Sequence, residues 1–314
     1  MKIAPEVLFV TNKDDFAIDF LIYKFKDNHI PYLRLNSEDI TGCDVTWNFG
    51  NDVCFKFNDY EYSLENLKSI YFRRAPTIFP NSSNHNDTPY INRERRDFFE
   101  GLYLTLDVKW INPIFATYIS ERKLYQLNVA RNIGFDIPST IVSNNPLEIK
   151  NFIDLHGNCI IKPISHGLQI SKEGAFSIYT SEIKDIDFLE KDKLFECPAF
   201  VQSRIDNFRD IRATVIGNTI FAVEIEKDKI DDVDWRTPDT EKSYKVHTLP
   251  NNIVELMIKL HKALDLVYSA FDFVLTPEGE YYFLETNPAG EWVWLERELG
   301  LPISTAIINE LIGL

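Results

Sequence analysis

Three side chains near the C-terminus, Asp272, Glu285 and Asn287, have types and spacing suited to a hard cation. They lie in SAFDFVLTPEGEYYFLETNP, which reads as two apolar strands joined by a turn at Glu278-Gly279. A two-residue loop pairs Asp272 directly with Glu285. Like charges facing each other across a strand pair are destabilising unless a cation lies between them. Asn287 follows Glu285 by two residues and shares its face in an extended strand. Two carboxylates and a carboxamide are the hard oxygen donors that magnesium takes. A second register stays open: Pro277-Glu278-Gly279 also suits a type I turn with a glycine bulge, which moves Glu285 off that face unless another bulge compensates. Solvated strand carboxylates are the bland alternative, and the apolar flanks AFDFVL and YYFLETN argue against it.

A second feature is cationic. Lys162 ends the buried strand CIIK, and the segment SHGLQISKEGAF that follows reads as a glycine-containing loop able to close over phosphates. Taken alone, Lys162 is better read as a lysine snorkelling at a strand end. Its weight comes from company: Lys123 on a preceding helix, the hinge-like strand PAFVQSRI, and Asp210-Ile211-Arg212.

The elements that must position these groups alternate. VLFVT, a helix over residues 14–26 and YLRLN form a parallel α/β unit. DVTWNF and VCFKFN around Gly50-Asn51-Asp52 read as an edge hairpin, and SIYFRR as a strand ending in two arginines. Residues 81–89 read as a surface loop, 90–109 and 120–133 as helices, the second stopped by Gly134. STIVSN is a strand, and Asn145-Pro146 opens a helix that closes near Gly157. From Ala199 onward β signals dominate, with a hairpin at Gly217-Asn218, a polar connector over residues 229–247, a helix over 251–266 and a terminal helix from Thr305. The fold class is α/β, becoming α+β toward the C-terminus.

With 314 residues and 45% hydrophobic content the chain supports two or three domains. Forty-eight acidic against thirty-three basic residues, a net charge of -15, argue against nonspecific binding to nucleic acid or anionic membrane. No apolar run is long enough to span a bilayer, and no signal h-region precedes the first strand, so the expected location is cytoplasmic. Cys43, Cys54, Cys159 and Cys197 lack metal-site spacing and are expected to be small buried hydrophobes.

Lys123, Lys162-Pro163, VQSRI, DIRATVIGNTIFAVEI, AFDFVL and FLETNP, in this order and spacing, resemble the nucleotide-binding set of the ATP-grasp ligases. YFRRAPTIFP, DWRTPD and NPAGEWVWLERELGLPIS narrow the resemblance to the microviridin-type graspetide synthetases, peptide maturases that close ester or amide crosslinks in ribosomal precursor peptides. The similarity covers nearly the whole chain. It implies an ATP-grasp fold with an N-terminal pre-ATP-grasp domain over residues 1–117, a central lobe over 118–198 and a C-terminal lobe over 199–314. By the same resemblance Lys123 and Lys162 contact ATP phosphates, and Gln202, Ser203 and Ile205 line the adenine pocket. Asp210 lies near the ribose, Arg212 and Arg236 neutralise the transferred phosphoryl group, and Asp272, Glu285 and Asn287 hold Mg2+. Gln202 departs from the glutamate common at this hinge in the wider superfamily. A precursor peptide partner and a homodimer are further implications.

Arg73 and Arg74 fall at the carboxyl end of an N-terminal strand, where ligands of open α/β sheets bind, and are expected to grip an acidic substrate by bidentate pairing. Arg93, Arg95 and Arg96 read as a solvated helix face. Trp292 and Trp294 form either an aromatic wall beside the metal or plain core packing. The general base is not identified: Glu291 and His247 are candidates, with His247 better read as a satisfied structural histidine. The leading expectation is an ADP-forming macrocyclase joining Asp or Glu side chains to Ser, Thr or Lys of a precursor. The alternatives are a RimK-like carboxylate-amine ligase adding free amino acids, and a noncatalytic ATP- or leader-binding module.

Overall fold

A computed structural model of the chain describes residues 2–313 apart from 49–52, 58, 76–86, 166–167, 172–173, 184–190, 207–208 and 228–240. In the N-terminal part the elements run β1 (Lys2–Ile3), β2 (Val7–Thr11), α1 (Phe16–Asp27), β3 (Tyr32–Asn36), β4 (Asp44–Trp47), β5 (Val53–Phe57), β6 (Tyr60–Ser63), β7 (Ser69–Phe72), α2 (Thr88–Leu104) and β8 (Lys109–Ile111). The sheet β3-β2-β7-β8 is parallel throughout. Every residue of β2 is buried, as a parallel strand covered on both faces requires. Asp15 caps α1 by accepting from Ile18 N, and Ala17, Ile18, Leu21 and Phe25 turn its apolar face onto the sheet. The hairpin β4–β5 joins β6 and β1 in a separate sheet. Its predicted turn and most of the predicted loop over 81–89 lie outside the described residues.

Next come α3 (Ile114–Ser120), α4 (Lys123–Ile133), β9 (Thr140–Ser143), α5 (Pro146–His156), β10 (Cys159–Lys162), β11 (Leu168–Ser171), β12 (Gly174–Ser177), β13 (Ser181–Ile183), α6 (Lys191–Glu196) and β14 (Ala199–Ser203). Gly134, at φ 112°, ends α4 in the left-handed conformation that glycine permits. Asn145 caps α5 by accepting from Leu147 N at 3.0 Å. The antiparallel sheet β13-β10-β14-β9 packs Val201 and Cys159 against Ile149 and Ile153 of α5. The segment expected to be a phosphate-covering loop contains two short strands, β11 and β12, that pair antiparallel. The helix expected over 120–133 begins at Lys123, the first residue of α4, after a break that separates it from α3.

The C-terminal part comprises β15 (Arg209–Ile216), β16 (Thr219–Lys227), β17 (Lys242–Val246), α7 (Asn251–Ala263), β18 (Tyr268–Leu275), β19 (Tyr281–Asn287), α8 (Val293–Leu299) and α9 (Ile303–Ile312). Its antiparallel sheet has the order β17-β16-β15-β18-β19. Ile211, Ala213, Val215, Phe271, Phe273 and Phe283 share a core with Met257 and Leu260 of α7, which leaves the opposite face of β15 and β18 for polar residues. Ile303, Ile307 and Leu311 of α9 pack with Val7 and Phe9 of β2 and with Tyr268, tying the N-terminal sheet to the C-terminal one. Asn112 completes the tie: fully buried, it accepts from Val267 N and Tyr268 N, both at 2.7 Å, and donates to the Tyr268 and Pro288 carbonyls. All four cysteines are free; Cys159 is buried as expected, whereas Cys197 is exposed.

His261 of α7 carries a pH dependence. Burial lowers its pKa from 6.5 to about 4, and its Nδ1 lies 2.7 Å from Ser269 Oγ. The unfolded chain therefore binds more protons than the folded one between those values. The stability is whole above pH 6.5 and falls by about 3 kcal/mol as pH drops toward 4. Urea unfolding of the wild type and His261→Gln across pH 7 to 4 checks it: the variant should lose stability less steeply over that window.

Candidate active site

The polar face of the C-terminal sheet is built by a register change. Leu275 pairs with Tyr281, Val274 with Tyr282 and Phe273 with Phe283, but Asp272 pairs with Glu285. Gly279, at φ 88°, donates to Thr276 O at 3.0 Å, and Thr276 N donates to Glu280 O at 3.0 Å; this is the glycine-bulge turn rather than the two-residue loop. A second bulge at Leu284 compensates. Its physical consequence is decisive: Phe283 faces the α7 core, so an unbroken strand would send Glu285 to that same face. The bulge turns Glu285 across from Asp272 and Thr286 inward to the core.

Beside the outer edge of β19 lies no full strand among the described residues, only a bridge in which Phe283 N donates to Asp136 O at 2.9 Å. Gln126 of α4, buried, holds that edge like a neighbouring strand: its Nε2 donates to Thr286 O at 2.7 Å and its Oε1 accepts from Thr286 N at 3.0 Å. Thr286 lies between Glu285 and Asn287, so one side chain locks the backbone that carries both. Sequence reasoning missed Gln126; the available signal was its position three residues after Lys123, on the same helix face.

Around this edge the cations converge. Lys123 Nζ donates to Pro163 O at 2.9 Å and lies 3.6 Å from Glu285 Oε2, so one ammonium touches both the central and the C-terminal sheet regions. Lys162, the neighbour of Pro163, holds its Nζ 5.1 Å from the centre of the Phe200 ring. Arg212 pairs laterally with Asp272 and donates from Nη1 to Asp272 Oδ2 at 2.7 Å. Burial opposes the Arg212 charge, but Asp272, Tyr268 and Glu285 outweigh it and raise the pKa, so the guanidinium stays charged. Asp210, two residues earlier on the same face, forms a buried pair with Lys227 at 2.9 Å. Gln202 is fully buried on β14, donates to Thr140 Oγ1 at 2.8 Å and leaves its Oε1 without a partner among the described residues. Ser203 ends β14, with its N–H on Ser139 O, and Ile205 begins the crossing to β15. Arg236 lies outside the described residues.

The donor set fits magnesium. Among the described residues no three or more His, Cys, Asp or Glu are grouped to hold a metal by themselves. Magnesium is ordinarily held by one or two carboxylates with phosphate oxygens completing the shell, and a carboxylate has about four lone-pair sites, so pairing to Arg212 or Lys123 leaves acceptor capacity. Asn287 Oδ1 accepts from Ala289 N at 2.8 Å, which fixes its amide at the strand end.

The N-terminal arginines divide. Arg73 is fully buried, and its fork is occupied by Asp15 Oδ1 at 3.2 Å, Gly290 O at 3.1 Å and Glu291 Oε1 at 2.6 Å. The expectation that it grips substrate is corrected: it fastens the segment after β19 to the N-terminal sheet. Arg74, with 42% of its side chain exposed and Nη1 3.1 Å from Glu291 Oε1, is the member of the pair that faces solvent. Trp292 is core, fully buried and edge-on to Phe20 at 5.8 Å, and Trp294 packs on Tyr244; neither makes a wall at the site. His247 is a satisfied structural histidine, with Nδ1 3.3 Å from Glu224 and Nε2 2.6 Å from Tyr281 Oη. Glu291 is engaged by both arginines.

Gly290 is the tight point of the fastening. A Cβ there would stand 2.5 Å from both Ala270 Cβ and Arg212 Nη2, while Arg73 and Tyr268 hold its carbonyl. Gly290→Ala is expected to cost about 1–3 kcal/mol by overpacking and to displace Arg212 from Asp272. Thermal unfolding together with turnover checks this: activity should fall further than the stability loss explains.

No family model matches the chain. Solved structures do. The RiPP-associated ATP-grasp ligase of Chryseobacterium gregarium, in complex with ADP and a leader and core peptide, is 26% identical, with TM-score 0.87 over 98% of this chain and 96% of that one. The chain has the ATP-grasp fold. The chain is also similar to the macrocyclase MdnC of Microcystis aeruginosa, bound with its precursor peptide MdnA: 27% identity, TM-score 0.86, covering 98% and 99% of the two chains. Its full-length likeness is thus to the graspetide synthetases, as the sequence resemblance implied. Among curated proteins the chain is 24% identical over 182 residues to the tetrahydromethanopterin:alpha-L-glutamate ligase of Methanocaldococcus jannaschii, covering 56% of this chain and 60% of that one. It spans about half to two thirds of the length of the curated relatives it matches.

Proposed function

We propose that the ligase is an ATP-dependent peptide macrocyclase acting on a ribosomal precursor peptide, with a leader segment and an acidic core containing Thr, Ser or Lys. The observation that carries this reading is the placement of Lys123 Nζ between Pro163 O and Glu285, beside the facing Asp272 and Glu285, in a chain that follows peptide-bound relatives over its whole length.

A carboxylate acylates poorly because oxide is its leaving group. An Asp or Glu side chain of the peptide takes the γ-phosphoryl group of ATP, ADP leaves, and a hydroxyl or amine of the same peptide attacks the acyl phosphate. An ester or amide forms and phosphate departs with the electron pair of the broken bond, the attacking group giving up its proton. Lys123 and Lys162 hold the nucleotide phosphates, and Arg212, with Arg236, offsets charge on the transferring group. Asp272, Glu285 and Asn287 would hold Mg2+, which would supply charge neutralisation for the nucleotide phosphates. Gln202, Ser203 and Ile205 line the base pocket, Asp210 lies toward the ribose, and Arg74 meets the acidic peptide. Exclusion of water between the lobes protects the acyl phosphate from hydrolysis. Residues 1–117, 118–198 and 199–314 serve as pre-ATP-grasp domain, central lobe and C-terminal lobe. A homodimer in the cytoplasm is part of the same proposal; none of the described helices is long and apolar enough to cross a membrane.

The test combines ADP release with mass spectrometry on Thr- and Glu-rich precursor peptides. Peptide-dependent ADP with loss of one water per ring supports the macrocyclase. A gain of one residue's mass instead identifies addition of free amino acids, the chemistry of the glutamate-ligase relative. ATP binding without peptide-dependent turnover identifies a binding module.

A further inference from the structure

We propose that Thr140 sets the base selectivity of the nucleotide cleft by fixing which way the Gln202 amide points, so that a 6-aminopurine is accepted and a 6-oxopurine rejected. The inference rests on the nucleotide-binding reading above and deepens it.

A glutamine amide is ambivalent by itself. Turning it over exchanges a donor for an acceptor at almost no change in shape. Here a relay removes the ambivalence. Thr140 Oγ1 lies 2.7 Å from Pro138 O, and a carbonyl oxygen only accepts, so the one hydroxyl hydrogen of Thr140 goes to Pro138. What the hydroxyl then offers Gln202, its cross-strand partner in the β9–β14 pair, is a lone pair. The amide NH2 of Gln202 answers it at 2.8 Å, and Oε1 must point the other way.

That oxygen is buried and unpartnered among the described residues, which leaves an acceptor whose desolvation nothing described offsets. Its direction follows from the strand. Val201 faces the α5 core, whereas Phe200, two residues before Gln202 and on the same face, joins the core shared with the C-terminal sheet. Gln202 therefore stands on the face turned toward the C-terminal sheet, the side on which Lys162 lies over the Phe200 ring. An exocyclic amino group donates to Oε1. A 6-oxo group would set two acceptors against each other at a buried position.

Calorimetric titration of the full-length protein with MgATP and MgITP tests the relay without requiring turnover, using the wild type, Thr140→Val and Thr140→Ser. Thr140 is exposed on an edge strand, and valine preserves its shape and β-preference. The wild type should bind ATP at least about tenfold tighter than ITP. Thr140→Val, which frees the amide to turn over, should bring the two within about threefold, mainly by strengthening ITP, and Thr140→Ser should keep the wild-type ratio. A Thr140→Val ratio equal to the wild type's, or a wild type that binds both nucleotides alike, overturns the relay while leaving the ligase reading intact. Failure of the wild type to bind either nucleotide overturns both.

Discussion

Glu285→Ala should lower peptide-dependent ADP release by about 10³-fold or more while leaving the protein folded. The size of the effect follows from where charge accumulates. Phosphoryl transfer depends on positioning and electrostatics more than on covalent help from the protein, so removing one of the two carboxylates proposed to hold the metal would withdraw the main stabilising charge from the transferring group. It also releases Lys123, whose ammonium lies between Glu285 and Pro163. The fold should survive because the Glu285 side chain is 26% exposed and the β19 edge is held at Thr286 by Gln126, not by the carboxylate. A coupled ADP assay alongside a thermal melt reads both halves, and a Mg2+ titration adds a third, since the variant should need far more metal. Unchanged turnover would remove Glu285 from the metal site.

Arg73→Ala should destabilise the protein by about 3–5 kcal/mol, the cost of stripping one partner from a buried ion pair. Asp15 and Arg73 are both fully buried. The deletion strands the Asp15 carboxylate with Thr11 and the α1 amide of Ile18 as its remaining partners, and frees the Gly290 carbonyl and Glu291. Burial works against the Arg73 charge, yet Tyr71, Asp15 and Glu291 together raise its pKa, so the guanidinium stays charged. Urea unfolding at pH 7 measures the loss, and Arg73→Lys, which keeps the charge but not the fork, should recover only part of it. A substrate-gripping arginine behaves otherwise: its removal raises KM and spares stability. Wild-type stability in Arg73→Ala would restore that role.

Much of the site was legible because local chemistry was enough to specify it. Gly217-Asn218 between two apolar runs dictated the β15–β16 hairpin, and Asn145-Pro146 and Gly157 bracketed α5. The facing of Asp272 and Glu285 was also readable, although the sequence offered two registers and the outcome combines them: the glycine-bulge turn of one with the pairing of the other. Nothing local specifies the second bulge at Leu284. It exists because the α7 core claims Phe283 and the opposite face claims Glu285, a conflict that arises only once both faces of the sheet are covered.

Taken by itself, the sequence determined which groups are the candidates for chemistry: the two lysines, the facing carboxylates with Asn287, and Gln202 near the end of β14. Tertiary structure alone decided which of the remaining polar residues hold them in place. Arg73 and Arg74 are adjacent and alike in sequence, yet one lies in the core with its fork filled and the other at the surface. Gln126 and Asn112 look like ordinary polar residues until Thr286 and Tyr268 arrive from 156 to 160 positions away. Residue type and spacing set a side chain's reactivity and local face, but burial and hydrogen-bond partners depend on distant segments brought together by packing, and no local pattern encodes them.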